Sequence, residues 1–269
     1  MLLHYRFGTP LPTDGVVKEV PLEPGPVPYL LGGPGCWQYK LAEGDQVYGL
    51  GEAIRGINKR GWRYVSNCTD DPNHTEDKVS LYGAHDFLLV DGGDRRFGVY
   101  LDYSGQVEYD VGYTARDMLQ IKPADEHYDL YLITGPSDRA IVREFRALIG
   151  QSYIPPKWAF GYGQSRWSYC SEAEVRAVAE GYRSSGIPLD SIYLDIDYMK
   201  DYRDFTVDPE KFPDLPGLAA DLKAQNLHLV PIIDAGVKIE PGDPVYESGK
   251  EGGYFAKDGT GQDFVGAVW

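Results

Sequence analysis

Short alternating or uninterrupted apolar runs, broken every few positions by glycine, proline or aspartate, occupy the chain up to about residue 130. They fall at 46–50, 79–82, 86–90, 96–101, 106–111, 118–121 and 128–133, a pattern that predicts an antiparallel β-sandwich. Asp91-Gly-Gly-Asp94, between two of the runs, is a hairpin signal, because glycine supplies the positive φ of a tight strand reversal. The period then changes. Ile141, Val142, Phe145, Leu148 and Ile149 recur at helical spacing behind Ser137 and ahead of Gly150, which predicts a capped helix over 137–150.

Pro155 and Pro156 follow that helix and mark a domain junction, giving domains 1–152 and 153–269. Beyond it the predicted elements are strand 158–163, helix 171–184, strand 191–194, helix 215–225 and strand 227–233. Strands alternating with helices make a parallel α/β arrangement. An open doubly wound sheet and a (β/α)8 barrel both begin this way, and both bind ligands beyond the carboxyl ends of their strands. Those ends carry Gln164-Ser-Arg-Trp-Ser-Tyr169, Asp195-Ile-Asp-Tyr198 and Asp234-Ala-Gly236, so the expected site is acidic and aromatic.

Composition narrows the function classes. Of 269 residues, 42% are hydrophobic and 25% charged, as in ordinary globular domains. The 41 acidic against 26 basic residues leave a charge of −15, which repels phosphate backbones and anionic membranes, so neither nucleic acid nor membrane is an expected partner. No apolar run approaches the roughly 20 residues of a membrane span, and residues 1–10 lack the apolar stretch of a signal peptide. A cytoplasmic location is the expectation. Cys36, Cys68 and Cys170 form an odd set without a C-x-x-C pair, which favours reduced thiols over a disulfide framework or a zinc site.

Asp195 and Asp197 close the second strand, and alternation turns only one of them into the site if the strand continues. Asp195 is the choice. Trp167, just past the first strand, offers an aromatic face for stacking, against the alternative of core packing. Arg166 beside it reads as a carboxylate partner. The loop 67–78 gathers Asp70, Asp71, His74, Glu76 and Asp77, but at no calcium-loop spacing, so it reads as a solvated Asx-rich turn and not as a metal site. Gly161-Tyr-Gly163 starts like a dinucleotide fingerprint, yet Arg166 and Trp167 follow where its third glycine belongs. No Walker sequence, G-x-S-x-G elbow or H-E-x-x-H occurs, so P-loop, serine-hydrolase and zincin chemistry lack their residues.

Seven stretches, in order, carry a resemblance: Tyr48-Gly-Leu-Gly-Glu52, Leu81-Tyr-Gly-Ala-His85, Pro155-Pro-Lys-Trp158, Gln164-Ser-Arg-Trp167, Tyr193-Leu-Asp-Ile-Asp-Tyr-Met199, Asp204-Phe-Thr206 and Pro231-Ile-Ile-Asp234. Together they are similar to family 31 glycoside hydrolases, in the compact form of bacterial α-glucosidases. The resemblance implies an N-terminal β-sandwich followed by the first part of a (β/α)8 TIM barrel, three strands of it within 153–269. It implies substrate-binding roles for Asp70 on a sandwich loop, Trp167, Asp195 on the non-reducing-end sugar, and the apolar wall positions Ile196 and Ile232. It also implies short α-glucoside oligosaccharides as substrates, exo action with retention, and no metal or organic cofactor.

The family's nucleophile lies in a Trp-x-Asp-Met segment after the fourth strand and its acid/base after the sixth. Neither segment occurs here. No residue of this chain is therefore assigned a catalytic role, and the chain is expected to be the N-terminal part of an enzyme, inactive alone. The alternatives are an α-xylosidase of the same family and a non-catalytic carbohydrate-binding protein.

Overall fold

Strands form in the first half where inward apolar positions alternate with outward ones. In chain order they are β1 (Leu2–Phe7), β2 (Leu31–Gly33), β3 (Cys36–Lys40), β4 (Gln46–Gly49), β5 (Trp62–Ser66), β6 (Phe87–Asp91), β7 (Phe97–Asp102), β8 (Val107–Val111), β9 (Met118–Pro123) and β10 (Tyr128–Thr134). The computed structural model describes residues 1–11 and 18–267, and these strands belong to the first of its two units, Met1–Ser152 and Tyr153–Trp269. They pair as two five-stranded antiparallel sheets, ordered β1-β10-β7-β6-β4 and β2-β3-β9-β8-β5. The first unit is a β-sandwich.

Its core is filled by alternate residues of both sheets. Leu88, Val90, Val99, Leu130 and Leu132 meet Val107, Tyr109, Val111, Leu119 and Ile121, all fully buried. Each such side chain contributes about 1.5–3 kcal/mol of burial. The run Phe87–Asp91 shows no polar alternation because its other face is covered too. There Phe87, Leu89 and Ile133 pack under Ile141 and Phe145 of α1 (Asp138–Ile149), with Phe87 and Phe145 stacked at 4.0 Å. Ser137 caps α1 by accepting from the Ala140 amide at 3.3 Å. Val142 is 40% exposed, so the buried stripe is Ile141, Phe145 and Leu148.

The Asp91-Gly-Gly-Asp94 segment connects the antiparallel pair β6 and β7, with Gly93 at φ +67. The run 79–82 is not a strand. Of its four residues only Leu81 is buried, and it is tied to the segment 65–69 by two backbone bonds, from the Val65 amide to the Val79 carbonyl and from the Thr69 amide to the Leu81 carbonyl, and by the Thr69 and Ser80 hydroxyls at 2.7 Å.

Asp86 is a half-buried carboxyl of this unit. It accepts from the Tyr109 hydroxyl at 3.0 Å, yet burial pushes its pKa up to about 6. The folded protein therefore holds this proton over a pH range, between about 4 and 6, in which the unfolded chain has released it, and stability falls as pH rises through that window. The loss is on the order of 2–3 kcal/mol. Asp86→Asn is expected to flatten this part of the dependence. Calorimetric melts at pH 4, 5, 6 and 7 check it: the Tm difference between variant and parent should grow with pH, and a constant difference would contradict the assignment.

In the second unit, β11 (Gly163–Gln164), β12 (Ser191–Leu194) and β13 (His228–Pro231) are parallel and adjacent in sequence order. The connecting helices are α2 (Glu172–Ser184) and α3 (Leu215–Ala224), with α4 (Pro244–Gly252) following β13. Each helix starts on a capping side chain, Ser171, Asp214 or Asp243 respectively. Val175, Ala179, Ile192, Leu194, Phe212, Leu218 and Leu222 form the core between helices and sheet. This is the opening of a TIM barrel.

Two expected strands are shorter than their apolar runs. Residues Lys157–Phe160 form a 3-10 turn, closed by the Gly161 amide on the Trp158 carbonyl, and only Gly163–Gln164 pairs as strand. The reason is burial: Phe160 is 71% and Tyr162 51% exposed, so these aromatics are not strand residues facing a core. In β12 all but Tyr193 are buried, whereas β13 is half-buried and its Pro231 exposed. No helix among the described residues is long and apolar enough to cross a membrane.

Candidate functional site

The carboxyl ends of β11, β12 and β13 enclose an open cavity of about 260 Å³, lined by Gly163, Ser165, Arg166, Tyr193, Leu194, Asp195 and Ile232. Alternation on β12 explains the wall. Ile192 and Leu194 are fully buried in the core, which turns Tyr193 to the other face. Glycine at 163 makes room for it, since a Cβ there would lie 2.7 Å from the Tyr193 ring.

Asp195 follows directly. The strand ends at Leu194, and the Asp195 side chain caps a 3-10 turn, Ile196–Tyr198, by accepting from the Ile196 amide at 2.8 Å. This overturns the alternation argument: Asp195 and Asp197 are separated by the start of a turn and are not opposite faces of a strand. Asp195 lines the cavity and Asp197 does not. Among the described residues no other donor reaches the Asp195 carboxylate, which leaves one oxygen available to a ligand. Asp197 instead receives the Tyr202 hydroxyl at 3.5 Å.

Of the other residues singled out in the sequence, Ile232 lines the same cavity, and its carbonyl accepts the Tyr198 hydroxyl at 2.8 Å. Ile196 does not line it. It is 6% exposed and packs in the core with Leu194 and Met199, because the turn directs it inward. Trp167 is 78% exposed and contributes to no core cluster. Within residues 153–267 the ring packs in no core.

Arg166 makes no ion pair among the described residues and faces the cavity, contrary to the expectation of a carboxylate partner. Tyr193 and Ser165 were not singled out in the sequence. For Tyr193 the signal was present, as the one aromatic out of phase with the buried residues of its strand.

Gln164 holds the segment that carries these groups. Its Oε1 accepts from the Tyr162 and Tyr182 hydroxyls at 2.9 and 2.5 Å, and its Nε2 donates to the Tyr169 hydroxyl at 3.0 Å. The hydrogen bond with Tyr162 pushes the Tyr182 phenol up to about 12. Asp204-Phe-Thr206 is a loop-holding motif: Asp204 accepts the Asp234 amide at 2.9 Å, and Thr206 donates to the Arg203 carbonyl at 2.6 Å.

Asp70 belongs to the sandwich unit. It is exposed and accepts the Tyr82 hydroxyl at 2.7 Å. The neighbouring carboxylates are turned to separate local partners. Asp71 accepts from the Asn73 amide at 2.9 Å and pairs with Lys78, which holds it below the usual carboxylate range, and Thr75 donates to Asp77. Among the described residues there is no group of three His, Cys, Asp or Glu side chains placed to hold a metal ion.

Two family models match the chain: the glycosyl hydrolases family 31 TIM-barrel domain over residues 152–269, and the glycosyl hydrolase 31 N-terminal galactose mutarotase-like domain over 33–110. The alpha-glucosidase 2 of Bacillus thermoamyloliquefaciens is 37% identical over 235 residues, which is 87% of this chain and 30% of that protein. An alpha-glucosidase of Saccharolobus solfataricus is 28% identical over 84% of this chain and 32% of its own length. The chain thus spans about a third of these relatives. The GH31 dextranase of Flavobacterium johnsoniae, solved as a mutant with isomaltotriose, superposes with a TM-score of 0.74 over 90% of this chain and 30% of that one, at 24% identity.

Proposed function

Because the chain belongs to glycosyl hydrolase family 31, we propose that it supplies the sugar-holding part of an exo-acting, retaining α-glucosidase for short α-linked gluco-oligosaccharides. The observation that carries the reading is Asp195, with one carboxylate oxygen unclaimed at the edge of a cavity whose walls include Tyr193 and Ile232. A carboxylate accepts hydrogen bonds from two adjacent sugar hydroxyls, and holding the non-reducing end in this way confines attack to the terminal residue. Asp70 and Trp167 are the further substrate contacts of this reading. Ile196 acts on it from beneath, through the turn that Asp195 caps.

Retaining hydrolysis proceeds by attack of one carboxylate on the anomeric carbon while a second protonates the leaving oxygen, and water then releases the glycosyl-enzyme. Those two groups are assigned to later strands of the family's barrel and to no residue here. The residues present orient the sugar. The Asp195 carboxylate favours the positively charged, oxocarbenium-like ring of the transition state, against the opposing charge of Arg166 in the same cavity.

Hydrolysis of nitrophenyl α-glucoside and nitrophenyl α-xyloside by the full-length protein tests the reading. Glucoside hydrolysis is expected to dominate, with the α-anomer of glucose appearing first by NMR. Preference for the xyloside would transfer the site to an α-xylosidase. Binding of both without turnover would make the protein a carbohydrate-binding one.

A further inference from the structure

Arg55 is buried, 8% exposed, in a stretch with no regular secondary structure, and no carboxylate pairs with it among the described residues. Its guanidinium lies over the Trp62 ring at 4.3 Å and the Tyr64 ring at 5.0 Å. From that platform Nε donates to the Glu76 carbonyl at 2.5 Å and Nη1 to the Arg63 carbonyl at 2.6 Å. One flat cation thereby ties β5 to the far side of the loop 67–78. The placement has a cost, because Lys59 packs nearby over Tyr64 and is pushed below its ordinary value by burial and by Arg55.

The remaining hydrogen bonds of that loop are local. Asp71, Asn73, Thr75, Asp77 and Lys78 bond among themselves, and Asp70 takes the hydroxyl of Tyr82, a few residues further along. Among the described residues, Arg55 is the one group outside 66–82 that hydrogen-bonds to any residue of 70–78. We propose that Arg55 is a positioning residue for substrate binding, fixing the loop 67–78 so that Asp70 is presented in one place. This rests on the reading of Asp70 as a substrate contact. Lysine cannot replace it fully, since only the planar fork bonds two carbonyls while stacking on an indole.

The test compares Arg55→Met, Arg55→Lys, Asp70→Asn and the Arg55→Met/Asp70→Asn double variant in the full-length protein. The readouts are amide hydrogen exchange and steady-state kinetics on maltose. Hydrogen bonds to charged groups are worth enough that exchange of 70–78 in Arg55→Met should rise roughly tenfold or more, while Leu130 and Leu132 in β10 stay protected. KM should rise about tenfold at nearly unchanged kcat, Arg55→Lys should recover part of it, and the double variant should be no worse than Asp70→Asn. Unchanged exchange in the loop, exchange raised equally across the sandwich, or multiplying kinetic losses in the double variant would overturn the proposal. Local loosening with a kinetically silent Asp70→Asn would uphold the clamp and remove Asp70 from the substrate site. If Arg55→Met does not fold, Arg55→Lys and Trp62→Leu answer the same question through the exchange of 70–78.

Discussion

Asp195→Asn in the full-length protein is expected to lower kcat/KM on maltose by roughly 10- to 150-fold, with the melting temperature unchanged. A hydrogen bond to a charged group is worth about 1.5–3 kcal/mol net, and each 1.36 kcal/mol is about tenfold in rate. Stability should survive because the side chain's structural bond is to the Ile196 amide, and asparagine caps a helical turn about as well as aspartate. Asp197→Asn should do less, because that side chain lies outside the cavity lining. Kinetics and melts on both variants decide it. A fully active Asp195→Asn protein, or Asp197→Asn as the more damaging at equal stability, would move the sugar-holding role to the other carboxylate.

The second large contrast pairs Trp167 with Phe212. Trp167 is 78% exposed and Phe212 1%, so the same truncation should act on different quantities. Phe212→Ala is expected to cost about 3–5 kcal/mol of stability, the usual penalty for emptying a buried aromatic site. Trp167→Ala should leave the melt intact. If its ring covers a sugar, losing roughly 40–80 Å² of apolar contact at about 25 cal/mol/Å² removes about 1–2 kcal/mol, or roughly 5- to 30-fold in kcat/KM. Denaturant melts and maltose kinetics on both variants check this. A destabilised Trp167→Ala protein with normal kinetics would return the tryptophan to a structural role.

What the sequence made legible follows from what its patterns record. Period and capping recovered α1, because Ser137, Ile141, Phe145 and Gly150 sit at one spacing that a single helix satisfies. The sandwich strands that carry continuous or alternating apolar runs, β4 and β6 to β10, were also readable. The edge strand β5 was not, since among its residues only Tyr64 is fully buried, and an edge supplies little apolar signal. The error at 158–163 has the same origin in reverse: aromatic residues read as strand, whereas Phe160 and Tyr162 are exposed.

The site divides similarly. Asp195 and Ile232 line one cavity, because a strand end fixes where its terminal side chains go. The fate of Asp197 and Ile196 depended on where β12 stops, which a three-residue turn decides and no periodicity records. Arg55 was invisible in the sequence, since its acceptors are two backbone carbonyls and not side chains with a motif.

The account stands most directly on one crystal structure: the full-length protein with glucose bound. It predicts the sugar in the cavity at the ends of β11, β12 and β13, with the Asp195 carboxylate about 2.5–3.2 Å from two of its hydroxyl oxygens and Tyr193 and Ile232 on its flanks. Glucose bound elsewhere, or bound in that cavity with Asp195 out of hydrogen-bond reach, would contradict it.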